Sequence, residues 1–99
     1  MKRLFISQPM RGKTNEEILL ERSKAINYAQ SLLNEDLDVI DSFFQDAPVD
    51  AKPLWYLGKS IELLATADAV IFIDGWSNAR GCIIEHECAV RYGIPIIHE

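Results

Sequence analysis

The sequence predicts an α/β fold built on a parallel sheet. Short apolar runs such as Leu4-Phe5-Ile6 and Ala69–Ile73 are unbroken, which is typical of strands covered on both faces. Longer segments between them carry apolar residues at helical spacing, and turn-forming residues separate the segments. Strands that alternate with helices form parallel sheets through right-handed crossovers, so we expect one α/β domain over residues 1–99.

A capping box marks the first helix. Thr14 and Glu17 have the spacing at which each side chain bonds the other residue's backbone N–H at a helix start. The elements predicted for the first half are a strand at Arg3–Ser7, a turn at Gln8–Gly12, a helix from Thr14 to about Asn34 whose inner stripe holds Ile18, Glu21 or Arg22, Ala25, Ala29 and Leu32, and a strand at Leu37–Asp41.

Proline and glycine bound the elements of the second half. Pro53 suits the first turn of a helix, where its missing N–H costs no hydrogen bond. Gly93 is a natural residue just past a helix end, and Pro95 prevents continuation. The predicted elements are a loop at Phe43–Lys52, a helix from Pro53 to about Thr66 with the inner stripe Leu54, Leu57, Ile61 and Leu64, a strand at Ala69–Ile73, a helix from about Ala79 to Tyr92, and a strand at Ile94–Ile97.

The predicted strand order is 2-1-3-4. A four-stranded parallel sheet of this order, covered by helices, is a small flavodoxin-like or Rossmann-like three-layer sandwich. The order reverses between the first and third strands, and ligands bind at such a point, outside the carboxyl ends of the strands. We therefore expect the loops Gln8–Lys13 and Asp74–Arg80 to face each other across a binding crevice.

Composition narrows the classes of function. The net charge of −5 argues against binding a nucleic-acid polymer, which requires a basic surface. No membrane span or signal peptide is visible, so a cytoplasmic protein with Cys82 and Cys88 reduced is predicted. A chain of 99 residues leaves much of its surface unburied, and a homo-oligomer, a dimer or larger, is therefore expected.

Glu85 is the candidate catalytic residue. It lies on the helix that follows the crevice loop, where a carboxylate can act as a nucleophile toward a sugar carbon or as a general base. The alternative is a surface glutamate or an ion pair with Arg80 or Arg91. The residues that share its predicted helix face are small or semi-apolar: Gly81, Cys88, Ala89 and Tyr92.

The first crevice loop is a candidate anion site. Arg11 and the backbone of Gly12 can hold a phosphate, helped by the positive end of the next helix, and a plain turn with a helix cap is the alternative. A triphosphate-binding P-loop is disfavoured, because that pattern needs a glycine where Ser7 stands. In the second loop, Trp76 can stack on a flat ring or line an entrance, or serve as a core residue.

No metal and no cofactor are predicted. Cys82 and His86 share a helix face. Cys88 lies on another side of that helix, and His98 is next to the terminus, outside the helix. Buried thiols are the expected role of the two cysteines.

The sequence also resembles a known family. In the nucleoside 2-deoxyribosyltransferase superfamily a Gly precedes the catalytic Glu by four residues and a Gly-Lys-Pro-like end follows it by eight. Both spacings hold here, and Leu4–Gly12 resembles the first strand and substrate loop of that superfamily. The chain is most similar to the small, largely uncharacterised DUF4406 proteins, a group similar to this superfamily. The segments that carry the resemblance are Ala67–Val70, Asp74-Gly75, Gly81-x-x-x-Glu85 and Gly93-x-Pro95.

The resemblance implies a specific chemistry. Glu85 would attack the anomeric carbon of a ribosyl or deoxyribosyl group and displace the base. Water or a second base would then resolve the covalent glycosyl-enzyme intermediate. The Arg11-Gly12 ending resembles the branch that hydrolyses 2′-deoxynucleoside 5′-monophosphates, and such enzymes are oligomers whose neighbours complete the pocket. Together with the crevice loops, the resemblance gives these substrate-binding residues: Ser7, Gln8, Pro9, Met10, Arg11, Gly12, Asp74, Gly75, Trp76, Asn78 and Gly81.

Two positions depart from the family pattern. Ser60 stands eight residues before Asp68, where the family carries an acidic residue for proton transfer, and Ala79 stands six residues before Glu85, where transferases carry an Asp that contacts the base. A serine cannot donate a proton near neutral pH as a carboxylic acid can. Another acid could serve instead: Asp46, Asp50 or Asp74.

Three hypotheses remain open from the sequence. The first is an enzyme that cleaves the N-glycosidic bond of a nucleoside or nucleotide, or transfers its (deoxy)ribosyl group, through Glu85. The second is a non-catalytic nucleotide or nucleotide-sugar binding module, which Ser60 favours over the first. The third is a structural or interaction domain with an empty crevice.

Overall fold

Four strands and three α-helices alternate along the chain in the computed structural model, which describes all residues from Met1 to Glu99. A short 3-10 turn at Trp76–Asn78, which the sequence does not predict, follows the third strand. None of the helices is long and apolar enough to pass through a bilayer. The elements are β1 Lys2–Ser7, α1 Asn15–Leu33, β2 Leu37–Val39, α2 Pro53–Leu64, β3 Ala69–Phe72, α3 Arg80–Arg91 and β4 Ile96–His98.

The strands form one parallel sheet in the order β2-β1-β3-β4, which confirms the predicted fold class and strand order. The two central strands pair in register, from Leu4 opposite Ala69 to Ser7 opposite Phe72. α1 packs on one face of the sheet, and α2 and α3 pack on the other. Both central strands therefore end at the same edge, where Ser7 and Phe72 lie side by side.

Each face of the sheet has its own apolar core. Neighbouring residues of a strand point to opposite faces, so an unbroken apolar run serves both cores. In β1, Leu4 and Ile6 pack against α1, whereas Phe5 packs against α2 and α3. Ala25 and Ala29 of α1 are fully buried, and their small side chains let the helix lie close to the sheet.

Apolar residues at the ends of the helices are more exposed than the sequence predicts. Leu32 and Leu54, which are predicted to face inward, keep 58% and 77% of their surface exposed, and Tyr92, which is predicted to share the helix face of Glu85, keeps 83%. Each lies in or just beyond a terminal turn. The helices overhang the sheet, because the 19 residues of α1 span about 28 Å whereas strands of three to six residues span only about 10–20 Å.

Local signals fix the element boundaries. The predicted capping box is present, with Glu17 N donating to Thr14 Oγ1 and Thr14 N donating to Glu17 Oε1, both at 3.1 Å. Gly93, with φ of 71°, follows the end of α3 in the left-handed region. β2 is two residues shorter than predicted, although Ile40 N still donates to Leu4 O at 2.9 Å. β4 lies later than predicted, at Ile96–His98.

Candidate functional site

The loops that follow β1 and β3 meet at the carboxyl edge of the sheet. Gly75 has a φ of 92°, a conformation that L side chains rarely adopt. A Cβ placed on Gly75 would lie 3.7 Å from Pro9 Cγ, so the two loops approach each other closely at this point. The strand order predicts this juxtaposition, because β1 and β3 are neighbours in the sheet.

Glu85 is buried at this edge. It lies in the second turn of α3 with only 7% of its surface exposed, and Ser7 Oγ donates a hydrogen bond of 2.7 Å to Glu85 Oε1. Glu85 makes no ion pair, whereas the exposed Glu87 on the same helix pairs with Arg91. The surface-glutamate alternative is therefore wrong.

The surroundings of Glu85 act on its ionisation in opposite directions. Burial raises the pKa of the Glu85 carboxyl above its ordinary value of 4.5, while the hydroxyls of Ser7 and Ser60 lower it by a smaller amount. Ser60, on α2, thus lies beside the carboxylate, and no second carboxylate contributes to this balance. Burial also raises the pKa of the nearby Cys82 thiol to about 11, which keeps that thiol protonated near neutral pH.

Gln8 is held by the protein's own groups. Its Nε2 donates to Ile18 O and to Glu21 Oε1, both at 3.0 Å. Its Oε1 accepts from Arg22 Nη1 at 3.4 Å. The amide thus uses both of its donor hydrogens and its acceptor within the fold. Gln8 is therefore better suited to position the loop than to contact a substrate directly.

Arg22 is a buried cation behind the first loop. Only 7% of its surface is exposed, and its Nη2 donates to Ser42 Oγ at 3.2 Å and to Ile40 O at 3.4 Å. Burial lowers the pKa of the guanidinium, and the charge of Asp41 opposes this. The sequence places Arg22 on the inner stripe of α1 but gives no sign of these partners, which come from the loop after β1 and from the chain after β2.

Lys13 completes this polar network. Its Nζ bonds both carboxylate oxygens of Glu21, at 2.8 and 2.9 Å. Partial burial raises the pKa of Glu21, but hydrogen bonds from Lys13 and Gln8 lower it, and the net result is a pKa below the ordinary value. The charge of Lys13 also lowers the pKa of Cys82, so the ammonium group lies within electrostatic reach of that thiol.

The turn at the tip of the first loop is exposed. Lys13 N donates to Met10 O at 3.2 Å, and Gly12 takes a φ of 80°. Arg11 is exposed at this turn, free of ion pairs within 4 Å. The helix start that follows is already capped and carries Glu16 and Glu17. An anion here would therefore rely on Arg11 and the loop backbone more than on the helix end.

The second loop combines exposed polar residues with a stack of rings. Asp74 and Asn78 are exposed, whereas Trp76 is half-buried. The Trp76 ring stacks on His86 with centroids 4.2 Å apart and planes 14° apart, and His98 lies 5.8 Å away. The sequence does not predict this stack, because His86 and His98 come from different elements.

Gly81 leaves open space near Glu85. It lies one helical turn before Glu85, and a Cβ placed on it would meet no atom within 4 Å. Packing within the chain therefore does not require glycine here.

The cysteines and histidines do not assemble as metal ligands. No group of three His, Cys, Asp or Glu side chains converges where a metal ion could bind. The imidazoles of His86 and His98 instead pack beside Trp76 and Phe72.

The raised pKa of Glu85 predicts a pH-dependent stability difference between wild type and Glu85→Gln. Protonated Glu85 is favoured in the folded state, so its contribution to stability is complete below pH 4.5 and is lost as pH rises through the raised pKa. Glu85→Gln keeps an acceptor for Ser7 without the charge. The variant should match wild type at low pH. At pH values above the raised pKa, it should be more stable than wild type by about 1.4 kcal/mol for each pKa unit of the shift.

Urea unfolding of both proteins between pH 4 and 8 measures this difference. Parallel stability curves, or a Glu85→Gln protein that loses stability relative to wild type as pH rises, would contradict the burial of an ionisable Glu85.

Comparison with known proteins assigns the chain to one family. The sequence profile of DUF4406, a domain of unknown function, matches residues 2–98. No curated protein and no solved structure matches the chain. Because the match covers nearly every residue, from β1 to β4, the chain belongs to the DUF4406 family.

Proposed function

We propose that this protein acts on the N-glycosidic bond of a nucleoside or nucleotide, with Glu85 as the nucleophile. The observation that carries the proposal is the buried Glu85 carboxylate at the carboxyl edge of the sheet, bonded to Ser7 and one helical turn after Gly81, where a Cβ would meet no atom within 4 Å. Ligands of open parallel sheets bind at this edge, where the strand order reverses. The resemblance to the nucleoside 2-deoxyribosyltransferase superfamily supports the same assignment.

In this proposal, Ser7 and Glu85 act as a pair. The Ser7 hydroxyl bonds Oε1 and fixes the orientation of the carboxylate, which leaves the other oxygen to attack the anomeric carbon. The bond from that carbon to the base nitrogen breaks, and the base leaves with the bonding electrons and takes up a proton from solvent water. Water or a second base then attacks the glycosyl-Glu85 ester and releases the carboxylate.

The two crevice loops supply the remaining roles. The exposed Arg11 and the backbone at Gly12 are proposed to hold a 5′-phosphate, and Trp76 to stack on a ring of the substrate. Asp74, Asn78, Pro9 and Met10 border the same edge. The cytoplasmic location and the homo-oligomer remain predictions, and exposed apolar residues on α1 and α3, such as Leu20 and Ile83, are consistent with subunit contacts.

A second candidate is a nucleotide-binding module without turnover. It is favoured by the position of Ser60, whose hydroxyl lies beside Glu85 where a carboxylic acid would be needed to protonate the leaving base. Both candidates use the same crevice, so they differ in chemistry and not in ligand class.

Base release from a panel of substrates separates the two candidates. Wild-type protein is incubated with the four common 2′-deoxynucleosides and their 5′-monophosphates, and free base is measured by chromatography. We expect release from at least one substrate, and a decrease of roughly a thousandfold or more in Glu85→Ala because the nucleophile is gone. Glu87→Ala, an exposed change on the same helix, is the matched control and should leave the rate unchanged.

Three outcomes would change the assignment. Release that persists in Glu85→Ala removes Glu85 from its role. Saturable calorimetric binding without release supports the binding module, and a gain of release in Ser60→Asp would then show that the proton donor is the missing part. Neither binding nor release on the panel contradicts both candidates.

The open space at Gly81 predicts a second result. Gly81→Leu should fill the space near Glu85 and lower kcat/KM, or ligand affinity in the binding module, by about tenfold or more, since ligand and side chain would overlap. The fold should persist, because nothing within 4 Å opposes a new Cβ and leucine favours helices by up to about 1 kcal/mol relative to glycine.

Gly58→Leu is the matched control, since Gly58 is also helical with no atom within 4 Å of a new Cβ but lies on the exposed side of α2. Thermal unfolding of both variants checks that the fold is kept. Full activity or full affinity in Gly81→Leu would show that ligands do not occupy the space near Glu85.

A further inference from the structure

A separate cavity lies at the outer end of the carboxyl edge. It is half-enclosed, has a volume of about 210 Å³, and is formed between the chain that follows β2 and the first turn of α2. Aromatic side chains and carboxylates dominate its lining, which includes Asp41, Phe43, Phe44, Gln45, Asp46 and Trp55.

The aromatic wall of this cavity is preorganised. Phe44 and Trp55 meet edge to face, with centroids 5.9 Å apart and planes at 80°. Trp55 is held in turn by Tyr56, at 5.2 Å and 83°. These are favourable geometries for aromatic pairs, so the rings support one another without a ligand. Phe43, Phe44 and Trp55 are each half-buried and so keep ring surface open to the cavity.

The polar groups of the cavity are mostly acceptors. The carboxylates of Asp41 and Asp46 are exposed and form no ion pair within 4 Å. The Gln45 amide and the Trp55 indole are the lining side chains that carry N–H groups, and no Lys or Arg lines the cavity. Arg22 is close enough for the charge of Asp41 to raise its pKa, but it is buried, bonded to Ser42 and Gln8, and does not line the cavity. A complementary ligand therefore carries N–H donors and a positive charge. Such a ligand has few acceptor groups that would require donors from the protein.

We propose that this cavity binds the head group of a small organic cation, a guanidinium or a primary ammonium on a short alkyl chain. Both head groups are donors only, which matches a lining of two carboxylates. Cations also lie favourably over the faces of Trp and Phe rings. Nucleobases fit less well, because their ring nitrogens and carbonyls are acceptors, and the lining side chains offer them only the Gln45 amide and the Trp55 indole N–H as donors.

The volume restricts the ligand further. A cavity of about 210 Å³ is smaller than the roughly 300–1,000 Å³ of sites that enclose a drug-sized ligand, so it accommodates a single head group. The site is distinct from that of Glu85. Ser7 ends the central strand β1 and bonds Glu85 of α3, whereas the cavity is lined by the chain that follows β2 and by Trp55, and neither Ser7 nor Glu85 lines it.

Fluorescence of Trp55 tests the proposal on the full chain. Trp76→Phe leaves Trp55 as the one tryptophan, because the sequence has two. This protein is titrated with methylguanidinium chloride and, in parallel at equal ionic strength, with N-methylurea, which has nearly the same planar shape but no charge. We expect a saturable change with methylguanidinium at a Kd of about 1–10 mM, as suits a ligand of five heavy atoms, and none with the urea.

Substitutions in the loop after β2 show which carboxylates bind the cation. Asp46→Asn should weaken methylguanidinium binding by about tenfold, because a charge-assisted hydrogen bond and an ion pair are lost. Asp50→Asn removes the same charge from the same loop but outside the cavity lining, and should leave the Kd within about twofold once screening by salt is matched.

Two larger probes identify the source of the cation. Agmatine and N-acetyl-arginine amide both carry a guanidinium head group. Agmatine is a small molecule with a primary ammonium at its other end, whereas N-acetyl-arginine amide represents an arginine side chain in a peptide. Binding of either supports the site, and the tighter one shows whether a metabolite or a protein supplies the cation. Equal binding of N-methylurea and methylguanidinium, no saturation with any cation, or equal effects of Asp46→Asn and Asp50→Asn would overturn the proposal. Saturation by deoxyadenosine or deoxycytidine alone would make the cavity a nucleobase subsite instead.

Discussion

The hydrogen bond from Ser7 to Glu85 is the contact on which the proposed site depends. It joins the last residue of a central strand to the second turn of α3 and holds the carboxylate at the carboxyl edge of the sheet. A buried carboxylate without a donor would be costly, and the serine hydroxyl supplies that donor. Because parallel pairing places Ser7 opposite Phe72, the register between β1 and β3 decides whether this bond can form.

The same edge gathers the buried polar groups of the chain. Ser7, Gln8, Arg22, Ser42 and Glu85 are its five buried polar or charged residues, and they lie at the carboxyl ends of β1 and β2 or on helices that reach this edge. The rest of the core is apolar. Each buried polar group left without a partner would cost about 1–3 kcal/mol, so their concentration at one edge supports a binding role for it.

Sequence patterns predict the frame of the site better than its details. The parallel sheet follows from the alternation of strands and helices, and the buried Glu85 follows from its place on α3, because both depend on local periodicity. The partners of Arg22 and the stack of Trp76 on His86 could not be predicted, since they join residues from separate elements through tertiary packing. Leu54 is exposed for a related reason: periodicity gives the face of a helix but not how far the sheet extends beneath it.

The ionisation of Glu85 tests the central claim most directly. The side-chain carboxyl carbon of Glu85 can be followed by ¹³C NMR across a pH titration, in wild type and in Ser7→Ala. Burial at the crevice predicts a midpoint above 4.5 in wild type. Loss of the Ser7 hydroxyl should raise the midpoint further, because that hydrogen bond favours the charged form. A wild-type midpoint at or below 4.5, or one that does not rise in Ser7→Ala, would contradict a buried carboxylate held by Ser7.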